Sequence, residues 1–330
     1  MRILQSLNPV MDLFPSANNS PSDSDPDSGW LEPAFDFDDF DDAEVDNIPT
    51  LILPNHLVRL EAAGLTDPGR ERSQNEDFFV LKTHLSETTT PQNQSLQARG
   101  LYILCDGIGG HAEGEVASSL AAETLAAYFR EHWQAELPSE TEVLSAIYAA
   151  NAALYTLNEA QIRQGQQRMG TTVVLALIQD TQLRIAHVGD SRLYRYTASH
   201  GLEQLTRDHE IGQRDIQRGM TPTLAYARPN AYQLTQALGP RHEQDLKPEV
   251  QTLLVTEDTL LLMGSDGLTD YQFLETQAQD TIKTLLNFDT DLQAGLKGLL
   301  TAADQYNGHD NITAIAIRVK VQAPSRSDHF

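Results

Sequence analysis

The sequence predicts an α+β fold in which strands pair antiparallel. Apolar strand-like runs come in groups, helical stretches come in pairs, and the chain closes on a further strand. A parallel βαβ sheet would instead alternate strand and helix singly.

The elements follow in order. Residues 78–81 and 101–105 read as strands, and the polar stretch 83–99 between them reads as a loop. Residues 113–133 are alanine-rich and place Val116, Leu120, Leu125 and Phe129 at helical spacing, which predicts a helix. A second helix is expected over 140–165, started by Ser139 with Glu142 three residues on, a reciprocal capping pair. Three β-type runs come next, at 172–178, 183–188 and 193–196. Residues 208–247 are polar, carry Gly219, Pro222, Pro229 and Pro240, and show little periodicity. Strands are expected again over 251–255 and 259–263, helices over 274–286 and 290–305, and a last strand over 311–319. There is no internal repeat.

Of 330 residues, 47 are Asp or Glu and 23 are Lys or Arg, giving a net charge of −24. That balance argues against general nucleic-acid binding, which needs a basic surface. It leaves phosphate chemistry open where metal ions supply local positive charge. No apolar run approaches the roughly 18 residues that span a bilayer, so no membrane helix is expected. The N-terminus lacks the pattern of a secretory signal. The single cysteine, Cys105, excludes an intramolecular disulfide and any multi-cysteine zinc site, and suits a reducing, cytoplasmic setting. Residues 1–50 hold 12 acidic residues and one basic residue. The stretch 1–55 is therefore expected to be a disordered acidic extension, followed by a globular domain over 56–322 and a frayed tail over 323–330. Within the extension, Trp30-Leu31 and residues 35–42 interleave aromatics with carboxylates. That pattern fits a solvated acidic tail; it also fits a segment that docks on a basic protein partner or folds back over the flap.

The placement of aspartates carries the chemistry. Asp106-Gly107 follows the run 101–105, Gly189-Asp190 follows 185–188, Asp266-Gly267 follows 260–263, Asp310-Asn311 precedes 312–319, and Glu76-Asp77 precedes 78–81. A carboxylate beside a buried strand is costly unless it is hydrogen-bonded or bound to a cation. Glycine lets backbone carbonyls approach the same cation. Oxygen-rich clusters of this kind suit Mg²⁺ or Mn²⁺ better than zinc or copper. Each Asp-Gly alone is an ordinary turn signal. The glycine-rich run 107–110 lacks both the Walker lysine and the spacing of a dinucleotide loop, so nucleotide binding is rejected.

The ordered combination is specific. Thr66-Asp67-Pro68-Gly69, Arg72-Ser73-Gln74-Asn75-Glu76-Asp77, Asp106-Gly107-Ile108-Gly109-Gly110-His111, Gly170-Thr171-Thr172, Gly189-Asp190-Ser191-Arg192, Leu205-Thr206-Arg207-Asp208-His209, Leu234-Thr235-Gln236-Ala237-Leu238-Gly239, Ser265-Asp266-Gly267-Leu268 and Asp310-Asn311-Ile312-Thr313 follow one another along residues 58–320. In that order they resemble the successive motifs of the metal-dependent protein phosphatase 2C family, bacterial type. The resemblance implies a sandwich of two antiparallel sheets flanked by antiparallel helix pairs, with the metals at one end. It implies a phosphoserine/phosphothreonine phosphatase that uses two Mn²⁺ or Mg²⁺ ions and a third, weaker one. Asp106 would bridge the two ions; Asp266 and Asp310 would complete the ligands of the first ion, and Glu76 with the Gly107 carbonyl would bind the second ion. Asp190, helped by Asp266, would hold the third ion. Arg72 would grip the substrate phosphate, Asp77 would bond metal-bound water, and Asn311 would orient Asp310.

The implied mechanism is electrostatic. Two ions clamp one water and lower its pKa, and the resulting hydroxide attacks phosphorus in line while the ions and Arg72 offset charge on the oxygens. No covalent phosphoenzyme is needed. Phosphoproteins would be the substrates, in opposition to a kinase, and a monomer is expected.

Other residues have blander readings. Arg72 could pair at the surface with Glu71 or Glu76. His187 reads as a satisfied core histidine, His111 as a group near water at the site, and Cys105 as buried packing. Two departures from the family pattern stand out: Ile108 replaces a histidine that eukaryotic members carry, and the flap over 208–235 has Arg228-Pro229-Asn230-Ala231-Tyr232, with Gln236 where relatives have arginine. Ile108 cannot serve as a general acid. The rival function is a catalytically inactive phosphatase-like binding protein acting through its acidic N-terminal segment.

Overall fold

The computed structural model describes residues 55–89, 94–108, 113–163, 165 and 168–323. The acidic extension up to residue 54, the residues Gly109, Gly110 and His111, and the tail from 324 lie outside the described residues. The strands are β1 (His56–Asp67), β2 (Asp77–Thr89), β3 (Gln94–Ile108), β4 (Gly170–Thr171), β5 (Val173–Gln179), β6 (Gln182–Val188), β7 (Arg192–Thr197), β8 (Gly201–Gln204), β9 (Glu249–Leu254), β10 (Thr259–Gly264) and β11 (Ile312–Gln322). The helices are α1 (Glu113–His132), α2 (Glu140–Ala160), α3 (Ile211–Gln217), α4 (Pro222–Tyr226), α5 (Asp266–Thr269), α6 (Phe273–Thr276), α7 (Gln279–Leu286) and α8 (Leu292–Tyr306).

Among the described residues the strands form two antiparallel sheets. One has the order β1-β11-β10-β7-β8, and the other β2-β3-β5-β6-β9 with β4 paired to β3. Side chains of the central strands alternate between two cores with period two, as strand geometry demands. On β3, Leu101, Ile103 and Cys105 join the core under α1 and α2, while Tyr102 and Leu104 join the core between the sheets. On β10, Leu260 and Leu262 pack toward α7 and α8, while Leu261 and Met263 face the other sheet. Central strands are thus buried on both faces, which is why they read as unbroken apolar runs. The α+β sandwich with helices on its outer faces is the expected architecture.

Local signals explain several boundaries. Ser139 and Glu142 form the reciprocal cap of α2: the Glu142 N–H donates to Ser139 Oγ at 3.3 Å, and the Ser139 N–H donates to Glu142 Oε2 at 2.6 Å. Four expectations are corrected. The stretch 83–99 is largely strand, because β2 and β3 continue as a hairpin registered from Thr83 with Gly100 to Thr89 with Gln94. Polar Thr83, Ser86 and Gln97 are exposed there, so apolar alternation could not announce it. The helix expected to reach 165 ends at Ala160, followed by Ile162 in a left-handed conformation (φ 54°). The helix expected over 274–286 is broken into α6 and α7. Residues 208–247 contain α3 and α4. Strand β1 carried no period-two signal, since a register shift between Leu57 and Arg59 interrupts its alternation.

Antiparallel register decides where the aspartates go. Asp77 opens β2 directly opposite Asp106 near the end of β3. Gly264, just before Ser265-Asp266, pairs with Arg192 of β7 and with Ala314 of β11. The residues before β11, after β10 and between β6 and β7 therefore share one end of the sandwich.

At the opposite side of the β1/β11 sheet, Arg318 is 2% exposed. It donates to the Glu61 carboxylate and to the carbonyls of Asn287 and Thr290, and lies 5.1 Å over the Phe288 ring. It thereby pins the α7–α8 connection to the sheet. Arg318→Ala strands these partners and should cost about 2–4 kcal/mol in urea unfolding. An unchanged midpoint would contradict this role.

Candidate active site

Six acidic side chains converge at that end. The charges acting on Asp106 are those of Asp266, Asp77, Asp190 and Asp310, and burial together with these neighbours holds its carboxyl well above the ordinary carboxylate range. Asp266, first residue of α5, is raised in the same way, by burial and then by Asp190, Asp270, Asp310 and Asp77. Asp77 is 7% exposed and pushed up to about 6, chiefly by burial; hydrogen bonds from Thr313 and Ser265 oppose the shift. Asp190 is raised to about 7 by burial, then by Glu210, Asp208 and Asp270. Glu76 is raised by burial and by Asp310, while Arg72 pulls it down.

The backbone is held as tightly as the charges. Thr171 and Thr172 brace Asp106: the Asp106 N–H donates to Thr172 Oγ1 at 3.0 Å, and Thr171 Oγ1 donates to the Asp106 carbonyl at 2.8 Å. Ser265 joins the two sheets. Its Oγ donates to Asp77 Oδ2 at 2.7 Å and accepts the Thr313 N–H at 3.0 Å. Gly107 and Gly114 are required by close approach. A Cβ on Gly107 would sit 2.2 Å from the Gly114 carbonyl oxygen, and one on Gly114 would sit 2.6 Å from the Glu76 carboxyl carbon. Glu76 therefore rests against bare backbone.

All the residues anticipated from the sequence as ligands lie at this end, with two refinements of role. The Asn311 side chain does not bond Asp310. It accepts the Glu76 N–H at 2.8 Å and donates to the carbonyls of Pro68 and Gln74 at 2.9 Å each, so it shapes the loop carrying Glu76; only its backbone N–H meets the Asp310 carboxylate, at 2.8 Å. Arg72 pairs with neither Glu71 nor Glu76 but with Asp310, Nη2 to Oδ2 at 2.6 Å, and its side chain is half exposed. Ile108 is partly exposed at the end of β3, and Gln236 turns back to the segment 245–247 by bonds to the Asp245 carbonyl and Lys247 N–H. Cys105 is fully buried and its thiol pKa is pushed up by burial.

Sequence reasoning gave no role to Ser265, Thr172 or Gly114, although Ser265 adjoins Asp266, Thr172 lies in the Gly170-Thr171-Thr172 motif and Gly114 follows the glycine turn. It also missed Glu210 and Asp270, which lie where periodicity is absent. Glu210 is 4% exposed, accepts the Tyr226 O–H at 2.9 Å, and is raised to about 7 by burial, an effect its Tyr226 bond opposes.

Two features test whether this end fits a cation. The donors are oxygens throughout, as hard divalent ions require. Asp266 Oδ1 and Asp77 Oδ1 are buried with no hydrogen-bond partner among the described residues, an arrangement that a bound cation and its water would complete. A separate trio, His187, His209 and Glu249, fits a metal poorly. The two rings stack at 4.8 Å, His187 Nε2 is spent on the Arg207 carbonyl at 2.7 Å, and His209 Nδ1 accepts the Gly189 N–H at 3.1 Å. His187 is the satisfied core histidine expected.

Known proteins resemble this chain in sequence and fold. The protein phosphatase 2C family matches residues 66–215. The chain is 30% identical over 263 residues to the protein phosphatase PhpP of Streptococcus pneumoniae, covering 78% of this chain and 97% of that one. It is 33% identical over 258 residues to the serine/threonine phosphatase stp of Listeria monocytogenes, covering 76% and 93%. The crystal structure of the catalytic domain of the serine/threonine protein phosphatase PstP with two manganese ions superposes with a TM-score of 0.60 at 27% identity, covering 79% of this chain and 98% of that one. The chain belongs to the protein phosphatase 2C family, among bacterial serine/threonine phosphatases.

Proposed function

We propose that the protein is a metal-dependent phosphoserine/phosphothreonine protein phosphatase of cytoplasmic phosphoproteins. The observation that carries the reading is the convergence of Asp106, Asp266, Asp310, Glu76 and Asp190, each delivered by a different strand end, with orphaned carboxylate oxygens on Asp266 and on neighbouring Asp77. Asp106, Asp266 and Asp310 would hold one Mn²⁺ or Mg²⁺, Asp106, Glu76 and the Gly107 carbonyl a second, and Asp190 with Asp266 a third, weaker one. Bound there, divalent cations activate water and offset phosphoryl charge.

The chain's own residues divide the remaining work. Asp77, tied to Ser265 through Oδ2, keeps Oδ1 free to accept a proton from water at the cluster. Asn311 fixes the loop that presents Glu76. Arg72, half exposed and anchored to Asp310, offers a guanidinium fork at the mouth, suited to a phosphate dianion. Ile108 has no proton to give, so protonation of the leaving alkoxide falls to solvent or a flap residue.

Asp106→Asn and Asp266→Asn should each lower p-nitrophenyl phosphate turnover by about 10³-fold or more and weaken Mn²⁺ binding in calorimetry. Wild-type rates in both, or robust wild-type turnover in excess EDTA, would refute the assignment. Arg72→Ala should lower kcat/KM about 10–100-fold, mainly through KM, because the phosphate loses a bidentate charged partner. An unchanged KM would remove Arg72 from substrate binding.

The metal-free protein should respond to pH in a definite direction. Asp77 (about 6), Asp190 and Glu210 (about 7) bind protons more tightly folded than unfolded. Their contribution favours folding at low pH and is lost as pH rises from about 4 to about 7. Mn²⁺ should therefore raise Tm by several degrees, about 5 °C, at pH 7.5 and by less at pH 5. Equal shifts at both values would argue against cation binding by these carboxylates.

A further inference from the structure

A cavity of about 1120 Å³ opens between the flap helices α3 and α4, strand β9 and the segment 270–275. It adjoins the carboxylate cluster. Asp270 lines it, acts electrostatically on both Asp266 and Asp190, and has its Oδ2 3.7 Å from Nε2 of His309, the residue before Asp310. Its wall is aromatic and acidic together. Tyr226, Tyr232 and Tyr271 line it, and Tyr232 and Tyr271 are 65% and 70% exposed.

The charges do not cancel. Arg192 is consumed: its Nε and Nη2 meet the Asp208 carboxylate at 2.9 and 2.6 Å, and its Nη1 donates to Tyr194 and the Thr269 carbonyl. Glu249 faces His209, which burial keeps neutral, at 3.5 Å; Glu275 accepts from the neutral Tyr194 hydroxyl at 2.9 Å. Glu249, Asp270 and Glu275 therefore stand against one exposed guanidinium, Arg207, at the lining. A phosphate would be repelled from such a cavity. A long cation with an apolar stem would be drawn in, its head among carboxylates and its stem and charge against tyrosine faces.

Resting on the phosphatase reading above, we propose that this cavity is a substrate subsite that takes a lysine or arginine side chain flanking the phosphorylated residue. The phosphoryl group and the basic side chain of one extended peptide would then be recognised by adjacent sites of opposite electrostatic preference. Tyr271 and Glu249 are positioned to set the selectivity without touching the reacting atoms. Tyr271 and its neighbour Gln272 hold left-handed backbone (φ 54° and 57°), which asparagine tolerates, so Tyr271→Asn removes the ring without a new backbone conflict.

The test uses the full chain with Mn²⁺ and phosphothreonine peptides of one sequence that carry Lys, Ala or Glu at positions within three residues of the phosphothreonine. p-Nitrophenyl phosphate serves as the substrate that cannot reach the cavity. Wild type should prefer the Lys peptide over the Ala peptide by about tenfold in kcat/KM, and the Glu peptide should be poorest. Tyr271→Asn should cut that preference to about threefold or less, and Glu249→Lys should abolish or invert it, both with p-nitrophenyl phosphate turnover unchanged. Peptides treated equally, or a preference untouched by both variants, would overturn the subsite. Fluorescence anisotropy of the same peptides, unphosphorylated and labelled, reads the cavity independently of turnover. If p-nitrophenyl phosphate and all peptides resist hydrolysis while Lys-peptide binding keeps its variant-sensitive advantage, the phosphatase reading falls and the cation subsite stands. Loss of that binding advantage as well overturns both.

Discussion

Mutual repulsion among half-buried carboxylates is the constraint around which this protein is built. Asp106 feels Asp266, Asp77, Asp190 and Asp310 at once, and Asp266 feels nearly the same set. Left alone, such a group takes up protons or loosens. The scaffold prevents loosening by fixing members of the cluster: Thr171 and Thr172 hold the backbone of Asp106, Ser265, itself bound by the Thr313 N–H, holds the Asp77 carboxylate, and Asn311 holds the loop of Glu76. The sandwich supplies the rigidity, since central strands packed on both faces cannot easily shift in register. What remains is a fixed demand for positive charge at one end of the molecule.

That demand organises the surroundings unequally. On the Glu76 side, the bare backbone of Gly114 lies against the carboxylate, and half-exposed Arg72 pairs with Asp310. On the Asp190 side the negative charge continues outward through Glu210, Asp208 and Asp270 to the cavity beneath the flap. Arg192, bound by Asp208, Tyr194 and the Thr269 carbonyl, ties β7 to α5 and keeps this acidic wall from collapsing. Tyr226 adds the flap to the network, with its hydroxyl on Glu210 and its ring so close to Gly212 that a Cβ there would lie 2.8 Å from it. The flap is thus fastened to the acidic side of the site, and its placement depends on the same electrostatics as the chemistry.

The sequence-level reading succeeded where chemistry and local geometry coincide in a few adjacent residues. An aspartate at the edge of an apolar run is visible in a single line of text: Asp106 and Asp266 stand before a glycine, Asp190 after one, and Asp310 just ahead of the last strand. The α2 cap was legible because Ser139 and Glu142 satisfy each other within one turn. The β2–β3 hairpin was not legible beyond residue 82: backbone pairing, not apolar alternation, holds its exposed end together. The α6–α7 break at Gln277-Ala278 was equally silent, because neither residue is a glycine or a proline that would announce the end of a helix.

The grouping of strand and helix patterns alone determined the α+β architecture, the ordered motifs determined the reaction class through their resemblance to the protein phosphatase 2C family, and aspartates at strand ends pointed to oxygen-ligand chemistry, because all three depend on which residue types stand at strand ends. Tertiary packing decided the partners. That Arg72 meets Asp310, that Asn311 serves Glu76 and not Asp310, that Ser265 bridges two sheets, and that Asp270 and Glu210 extend the charge into a cavity all involve residues far apart in the chain. Such pairings follow from strand register and from how two sheets stack. No local pattern encodes them, since each partner's identity leaves its neighbour across the fold unspecified.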